Sequence, residues 1–166
     1  GRAAQLNRGI AESQGEILYF LHADSFPPHG FDKLILDAVD AGSPAGCFRL
    51  RFDYNHWFLN LSAWFTRFGG YVFHGGDQSL FIKRDLCLKM GGYNEEMKIM
   101  EDYDFVRRLK KYSQFKIIKS PIVTSAKKYL THGTLKLQIF YGYIHLLYAC
   151  NVSQKKLVHL YTKYIK

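Results

Sequence analysis

Apolar and polar positions along the chain switch between two periods, and the switches mark its elements. Residues 2–13 place Ala3, Leu6, Ile10 and Ala11 near one face of a helix, which Gly15 ends. Residues 16–21, with the continuous apolar run Ile17–Leu21, have strand length and suit a buried parallel strand. Pro27-Pro28 interrupts the chain, and helical spacing returns at Phe31, Leu34, Ile35 and Ala38. Residues 46–54 alternate Cys47, Leu50 and Phe52 against Arg49, Arg51 and Asp53, a strand with one wetter face. Trp57 to Phe68 is aromatic with helical period and stops at Gly69-Gly70. Ser79–Ile82 reads as a strand, Asp85–Met90 as a short helix, and Met100–Tyr112 as a helix with basic residues outward. Phe115–Ile118 and Ile122–Thr124 read as two short strands split by Pro121. Thr134–Ala149 and Ser153–Tyr164 are expected as closing helices. Strands alternating with helices predict an α/β domain. It spans residues 1–166, with 131–166 as a C-terminal helical extension.

Composition narrows the class. At 166 residues, 48% hydrophobic and 22% charged, the chain is long enough and apolar enough for one globular core. A formal net charge of +9 favours anionic partners: nucleotide phosphates, an anionic membrane surface or nucleic acid. No common nucleic-acid recognition motif is present, and the aromatics suit a core better than a base-stacking platform, so nucleic acid is not expected. Cys47, Cys87 and Cys150 form no CxxC pair and no zinc spacing. Reduced thiols predict a cytoplasmic setting. No apolar run approaches the roughly 20 residues that span a bilayer. The opening Gly1-Arg2-Ala3-Ala4-Gln5 has no apolar stretch behind it, so no signal peptide is expected, and the chain is expected to be a fragment.

Three polar clusters are candidates for chemistry. Leu21-His22-Ala23-Asp24-Ser25 directly follows the first strand. Open α/β sheets bind ligands at the carboxyl ends of their strands, so Asp24 is a site candidate, with capping of the turn before Pro27 as the alternative. Glu101-Asp102-Tyr103-Asp104 opens a helix, where acids also favour the macrodipole. His74-Gly75-Gly76-Asp77-Gln78 lets backbone approach a substrate, or makes a simple turn. Asp77 and Gln78 lie between the apolar pairs Val72-Phe73 and Leu80-Phe81 and need partners.

In their order along the chain these pieces resemble a family 2 glycosyltransferase of the GT-A fold, the Rossmann-like architecture of nucleotide-diphospho-sugar transferases, which implies a mixed sheet flanked by helices. The resemblance begins at Gly1–Asn7, takes in His22-Ala23-Asp24, His74–Gln78, Gly91-Gly92-Tyr93 with Glu95, and Glu101-Asp102, and reaches His132-Gly133. It looks closest to a bacterial subgroup whose metal motif reads His-Ala-Asp. The resemblance implies a metal-assisted, inverting transfer of sugar from a nucleotide donor, UDP- or GDP-linked, to a saccharide or lipid acceptor. Asp24 would hold Mn²⁺ or Mg²⁺, His132 would complete the metal or diphosphate site, and His22 would contact metal or nucleotide. Asp102, with Glu101 beside it, would be the general base. Arg2, Gln5 and Asn7 would lie against the nucleotide, and Gly75, Gly76, Asp77 and Gln78 against the substrates. The family normally begins with a strand, helix and strand that build most of the nucleotide pocket, so the domain is expected to be N-terminally truncated. A catalytically inactive relative that binds an anionic surface is the alternative.

Two further patterns have structural readings first. The stripe Trp57, Phe58, Leu61, Trp64, Phe65 and Phe68 suits a core, with an acceptor groove or a membrane-facing surface as the second reading. The latter would make the protein peripheral at the inner face of the membrane. Arg107-Arg108-Leu109-Lys110-Lys111 is expected to be a solvated helix face.

Overall fold

The computed structural model describes residues 1–70 and 74–165. Tyr71, Val72 and Phe73, the apolar approach to the glycine loop, lie outside the described residues, as does Lys166. The elements are α1 (Arg2–Glu12), β1 (Ile17–Phe20), β2 (Ser25–Phe26), α2 (Phe31–Asp40), β3 (Ala45–Phe52), α3 (Trp57–Phe65), β4 (Leu80–Lys83), α4 (Arg84–Lys89), α5 (Glu101–Tyr112), β5 (Phe115–Thr124), α6 (Lys127–His132), α7 (Thr134–Ala149) and α8 (Gln154–Ile165).

The strands form one five-stranded mixed sheet in the order β1-β4-β3-β5-β2. β3 and β5 are parallel, and the other three pairings are antiparallel. β1, β3 and β5 therefore run the same way and end on the same side of the sheet. Alternating side chains divide the core. Leu18, Leu80 and Ile82 face α1, α4 and α5 through Ala3, Ile10, Cys87, Phe105 and Leu109. Phe48, Phe81, Ile118 and Ile122 face α2 through Ile35 and Ala38. A third core, of Phe52, Leu59, Ala126, Tyr129 and Leu137, joins α3, α6 and α7 beyond the strand ends.

Three expectations change. β1 is an edge strand whose neighbour β4 is antiparallel, not a buried parallel strand. Its apolar run is explained by helices covering both faces, which periodicity does not distinguish from a central position. β5 is one strand rather than two. The register against β3 jumps between Phe48↔Ile118 and Arg49↔Pro121, so a bulge absorbs the proline that cannot donate to the ladder. The aromatic stripe of α3 is not core: Trp57, Leu61, Trp64, Phe65 and Phe68 are exposed, and the buried residue of that helix is Leu59.

The basic face of α5 is anchored rather than merely solvated. Asp104 is buried and accepts from Arg107 at 3.0 Å and Arg108 at 2.9 Å. Arg108 also donates to the carbonyls of Met90 and Gly92. This network fixes α5 against the Gly91-Gly92 turn.

Candidate functional site

The ends of β1 and β5 and the start of β4 converge on one edge of the sheet, where three connections meet. After β1 the chain turns through His22-Ala23-Asp24, closed by the Ser25 amide on the His22 carbonyl at 3.1 Å. The Ser125 amide, just past β5, donates to the Asp24 carbonyl at 3.1 Å, and Ser25 and Thr124 share a buried hydroxyl contact at 2.9 Å. Before β4, Gly76–Gln78 forms a short 3-10 turn. α5 points its first residues at the same place.

An open cleft of about 660 Å³ occupies this edge. Its volume is that of a small-molecule site. Of the residues singled out in the sequence, Arg2, Gln5, His22, Asp24, Gly76, Asp77 and Asp102 line it together. Asp102 sits at its centre of charge. Its Oδ2 lies 3.0 Å from Arg2 Nη2 and 4.0 Å from His22 Nε2. Arg2 also pairs with Glu101 at 3.2 Å and contacts the His22 ring, whose Nδ1 faces Asp77 at 3.1 Å. A Cβ on Gly76 would overlap both the Asp102 carboxylate and the His22 ring, so glycine is what lets the loop approach the acid.

The electrostatics follow from this packing. Burial raises the pKa of Asp102 above the ordinary aspartate value, only partly countered by Arg2 and His22. Glu101 is raised as well, by burial and then by the neighbouring Asp102 charge. Asp77 goes the other way. Desolvation acts to raise it, but the His22 hydrogen bond and the surrounding positive charges, Lys128 and Arg2 among them, outweigh that and lower it. One cleft thus holds carboxylates pushed in opposite directions, a pattern typical of divided acid and base roles.

Other sequence candidates lie elsewhere. Asn7 spends its amide on the turn after α4: it donates to the Tyr93 carbonyl and to Glu95 at 2.9 Å each and accepts from the Tyr93 amide at 2.8 Å. Gly92 has φ +67° there, and a Cβ would strike Asn7. Gln78 points into the interior, where its Oε1 lies 3.1 Å from His74 Nδ1 and 3.5 Å from Cys47 Sγ. Burial lowers the His74 pKa to about 4 and raises the Cys47 thiol to about 12, so both are neutral at physiological pH. Gly75 lies against the Tyr103 ring rather than in the cleft. Glu101 reaches the site through Arg2. His132 ends α6 and is not part of the cleft wall.

Lys128 lines the cleft but was not singled out in the sequence, and Tyr93, named there only within the Gly91-Gly92-Tyr93 pattern, lines it as well. The signal for Lys128 was its place just beyond the end of β5. There Asp53 Oδ1 accepts from the Ala126 amide at 2.7 Å and sets the start of α6.

Among the described residues no group of three His, Cys, Asp or Glu side chains is placed to hold a metal ion. The Asp24 carboxylate is exposed, with no hydrogen bond or ion pair to another described residue. That donor set fits a hard divalent ion shared with phosphate oxygens, since Mg²⁺ commonly takes only one or two protein carboxylates.

No family model and no curated protein matches the sequence. Solved structures do match in fold. One is the crystal structure of residues 1–349 of TarS from S. aureus, with a TM-score of 0.61 and 12% identity over 77% of this chain. The match covers 41% of the TarS chain, so this chain spans well under half of that neighbour's length. The likeness shows the fold alone: an α/β architecture shared with that neighbour, a mixed sheet with helices on both faces.

Proposed function

We propose that this chain carries the catalytic edge of a glycosyltransferase that moves a sugar from a nucleotide-diphosphate donor to an acceptor hydroxyl with inversion. The observation that carries the reading is Asp102. It is a desolvated carboxylate of raised pKa, facing a cleft at the ends of parallel strands and flanked by the Arg2 cation. Such a group is a stronger base than an ordinary exposed carboxylate and faces the space where a proton would be given up.

In this mechanism Asp102 takes the acceptor hydroxyl proton as that oxygen attacks the anomeric carbon. The bond from that carbon to the diphosphate oxygen breaks on the opposite side, and the bonding pair leaves with the diphosphate. Arg2, Lys128 and His22 provide fixed positive or donor groups where that charge would develop. Gly76 keeps the space between loop and base open. Asp24, with the donor phosphates, would hold Mn²⁺ or Mg²⁺, which would supply Lewis-acid neutralisation of the leaving group. The reading extends to UDP- or GDP-linked donors and a saccharide or lipid acceptor.

The test is a transfer assay over a panel of nucleotide sugars and hydroxyl acceptors, read by mass spectrometry. Asp102→Asn should lose at least ~10²-fold in kcat while still binding the nucleotide. Transfer at the parent rate in that variant would remove Asp102 from the base role.

A further inference from the structure

Tyr93 is a buried polar side chain that the proposed mechanism leaves unused. It follows the Gly91-Gly92 turn, and Asn7 bonds both its amide and its carbonyl, so its backbone is fixed to α1. Its ring stacks on Phe105 with 4.2 Å between centroids and meets Phe20 at a steep angle at 5.4 Å. The residue is 3% exposed and lines the cleft. A buried tyrosine hydroxyl ordinarily finds a hydrogen-bond partner. This one makes no hydrogen bond to another described residue, yet it is not one of the polar atoms sealed from solvent without a partner. The cleft is where its partner can come from.

Position and protonation narrow what that partner is. Tyr93 shares the cleft wall with the apolar side chains of Leu6, Phe20 and Leu80 and with Arg2 and Asp102. Burial, and then the Asp102 carboxylate, holds its pKa well above the ordinary tyrosine value, so it is a neutral phenol that both donates and accepts. A phosphate is drawn to the charged Arg2 and Lys128 rather than to a neutral phenol near Asp102 and Glu101. A nucleobase asks for an open ring face, whereas this ring is closed in and stacked on Phe105. A sugar suits the place: its C–H faces pack on apolar surface, and its hydroxyls donate and accept. In the proposed mechanism Arg2 meets the diphosphate and Asp102 the attacking hydroxyl. The sugar that lies between those two groups is the one being transferred.

We propose that the Tyr93 hydroxyl hydrogen-bonds a hydroxyl of the donor's sugar and so takes part in choosing that sugar. The proposal rests on the glycosyltransferase reading of the cleft and adds a specificity residue to it. A site that hydrogen-bonds a substrate hydroxyl discriminates against sugars that lack it or place it elsewhere, because its own polar group is then left unpaired.

The experiment is titration calorimetry, with Mn²⁺ present, of the parent chain and Tyr93→Phe against UDP-glucose, UDP-galactose and GDP-mannose, and against UDP and GDP alone, with Tm measured for both proteins. Phenylalanine keeps the ring on Phe105 and removes only the oxygen. The expected result is a loss of about tenfold in affinity for the sugar nucleotide that the parent prefers, the size of one hydrogen bond. Affinity for the nucleoside diphosphate alone should be unchanged, and Tm no lower, since no bond within the fold is lost. Equal affinity of the two proteins for that sugar nucleotide would overturn this assignment and leave the reading of the cleft intact. An equal loss for sugar nucleotide and nucleoside diphosphate would also overturn it, since the hydroxyl would then serve the nucleotide. So would a fall in Tm of several degrees, which would make the hydroxyl part of the fold. No binding of any sugar nucleotide by the parent chain would remove the reading of the cleft, and this assignment with it.

Discussion

Arg2 Nη2 lies 3.0 Å from Asp102 Oδ2, so the first turn of the first helix supplies the counter-charge of the carboxylate that opens α5. The pair is not sealed: the Arg2 side chain is 43% exposed and lines the same cleft that would receive a diphosphate. Under the proposed mechanism Arg2 would serve two anions, the base and the leaving group. Replacing it with Gln should weaken nucleoside diphosphate binding by about tenfold or more, the loss of one charge-assisted contact of ~1.5–3 kcal/mol. It should also move the acidic limb of the pH–rate profile upward, because Arg2 is what holds the Asp102 pKa down against burial. Titration calorimetry and a kcat/KM profile check the two effects separately.

Gly76→Ala should cost about a hundredfold in turnover without a matching loss of stability. The added methyl meets the Asp102 carboxylate and the His22 ring, and small displacements of reacting groups have penalties of that size. The substituted loop lies at an open cleft, so Tm should fall little. A variant with full kcat would show that loop and base do not need their close approach.

Asp102→Asn should raise stability near neutral pH while removing activity. The folded pKa lies above the unfolded one because burial outweighs Arg2 and His22. The folded state therefore favours the protonated acid. Its contribution is present below the unfolded pKa and is lost as pH rises through the folded value. The neutral amide avoids that loss. Urea unfolding of both forms across the acidic range should show the gap closing as pH falls.

His74 should give the chain an acid-sensitive core. Its folded pKa of about 4 is below the ordinary imidazole value because the ring is buried beside Cys47 and Gln78. The unfolded chain takes up a proton between about pH 6.5 and 4 that the folded chain refuses, so stability falls as pH drops through that window. The full effect is on the order of 3 kcal/mol. His74→Gln should flatten this part of the stability–pH curve, measured by denaturant midpoints.

The sequence carried the order of elements and the acids at the strand ends, because both are local signals. Apolar period placed α1, α5, α7 and α8 within a residue or two. The end of an apolar run placed His22 and Asp24 at the sheet edge, where open sheets put ligands. What it did not carry depends on contacts distant along the chain. Asn7 and Gln78 are polar residues in suggestive positions, yet their partners are a turn 86 residues away for Asn7 and a buried histidine for Gln78. Lys128 enters the cleft only because Asp53 and Thr124 join three strand ends. The α3 stripe marked one face of a helix, but periodicity does not say whether protein, water or lipid covers that face.

The central claim is that this cleft binds a nucleotide diphosphate. Thermal unfolding in the presence of UDP, GDP, CMP and dTDP, each with and without Mn²⁺, tests it most directly. A shift with one nucleoside diphosphate that Mn²⁺ enhances, and that is lost in both Asp24→Ala and Arg2→Gln, is the predicted result. No shift with any nucleotide, or one that survives both substitutions, would contradict it.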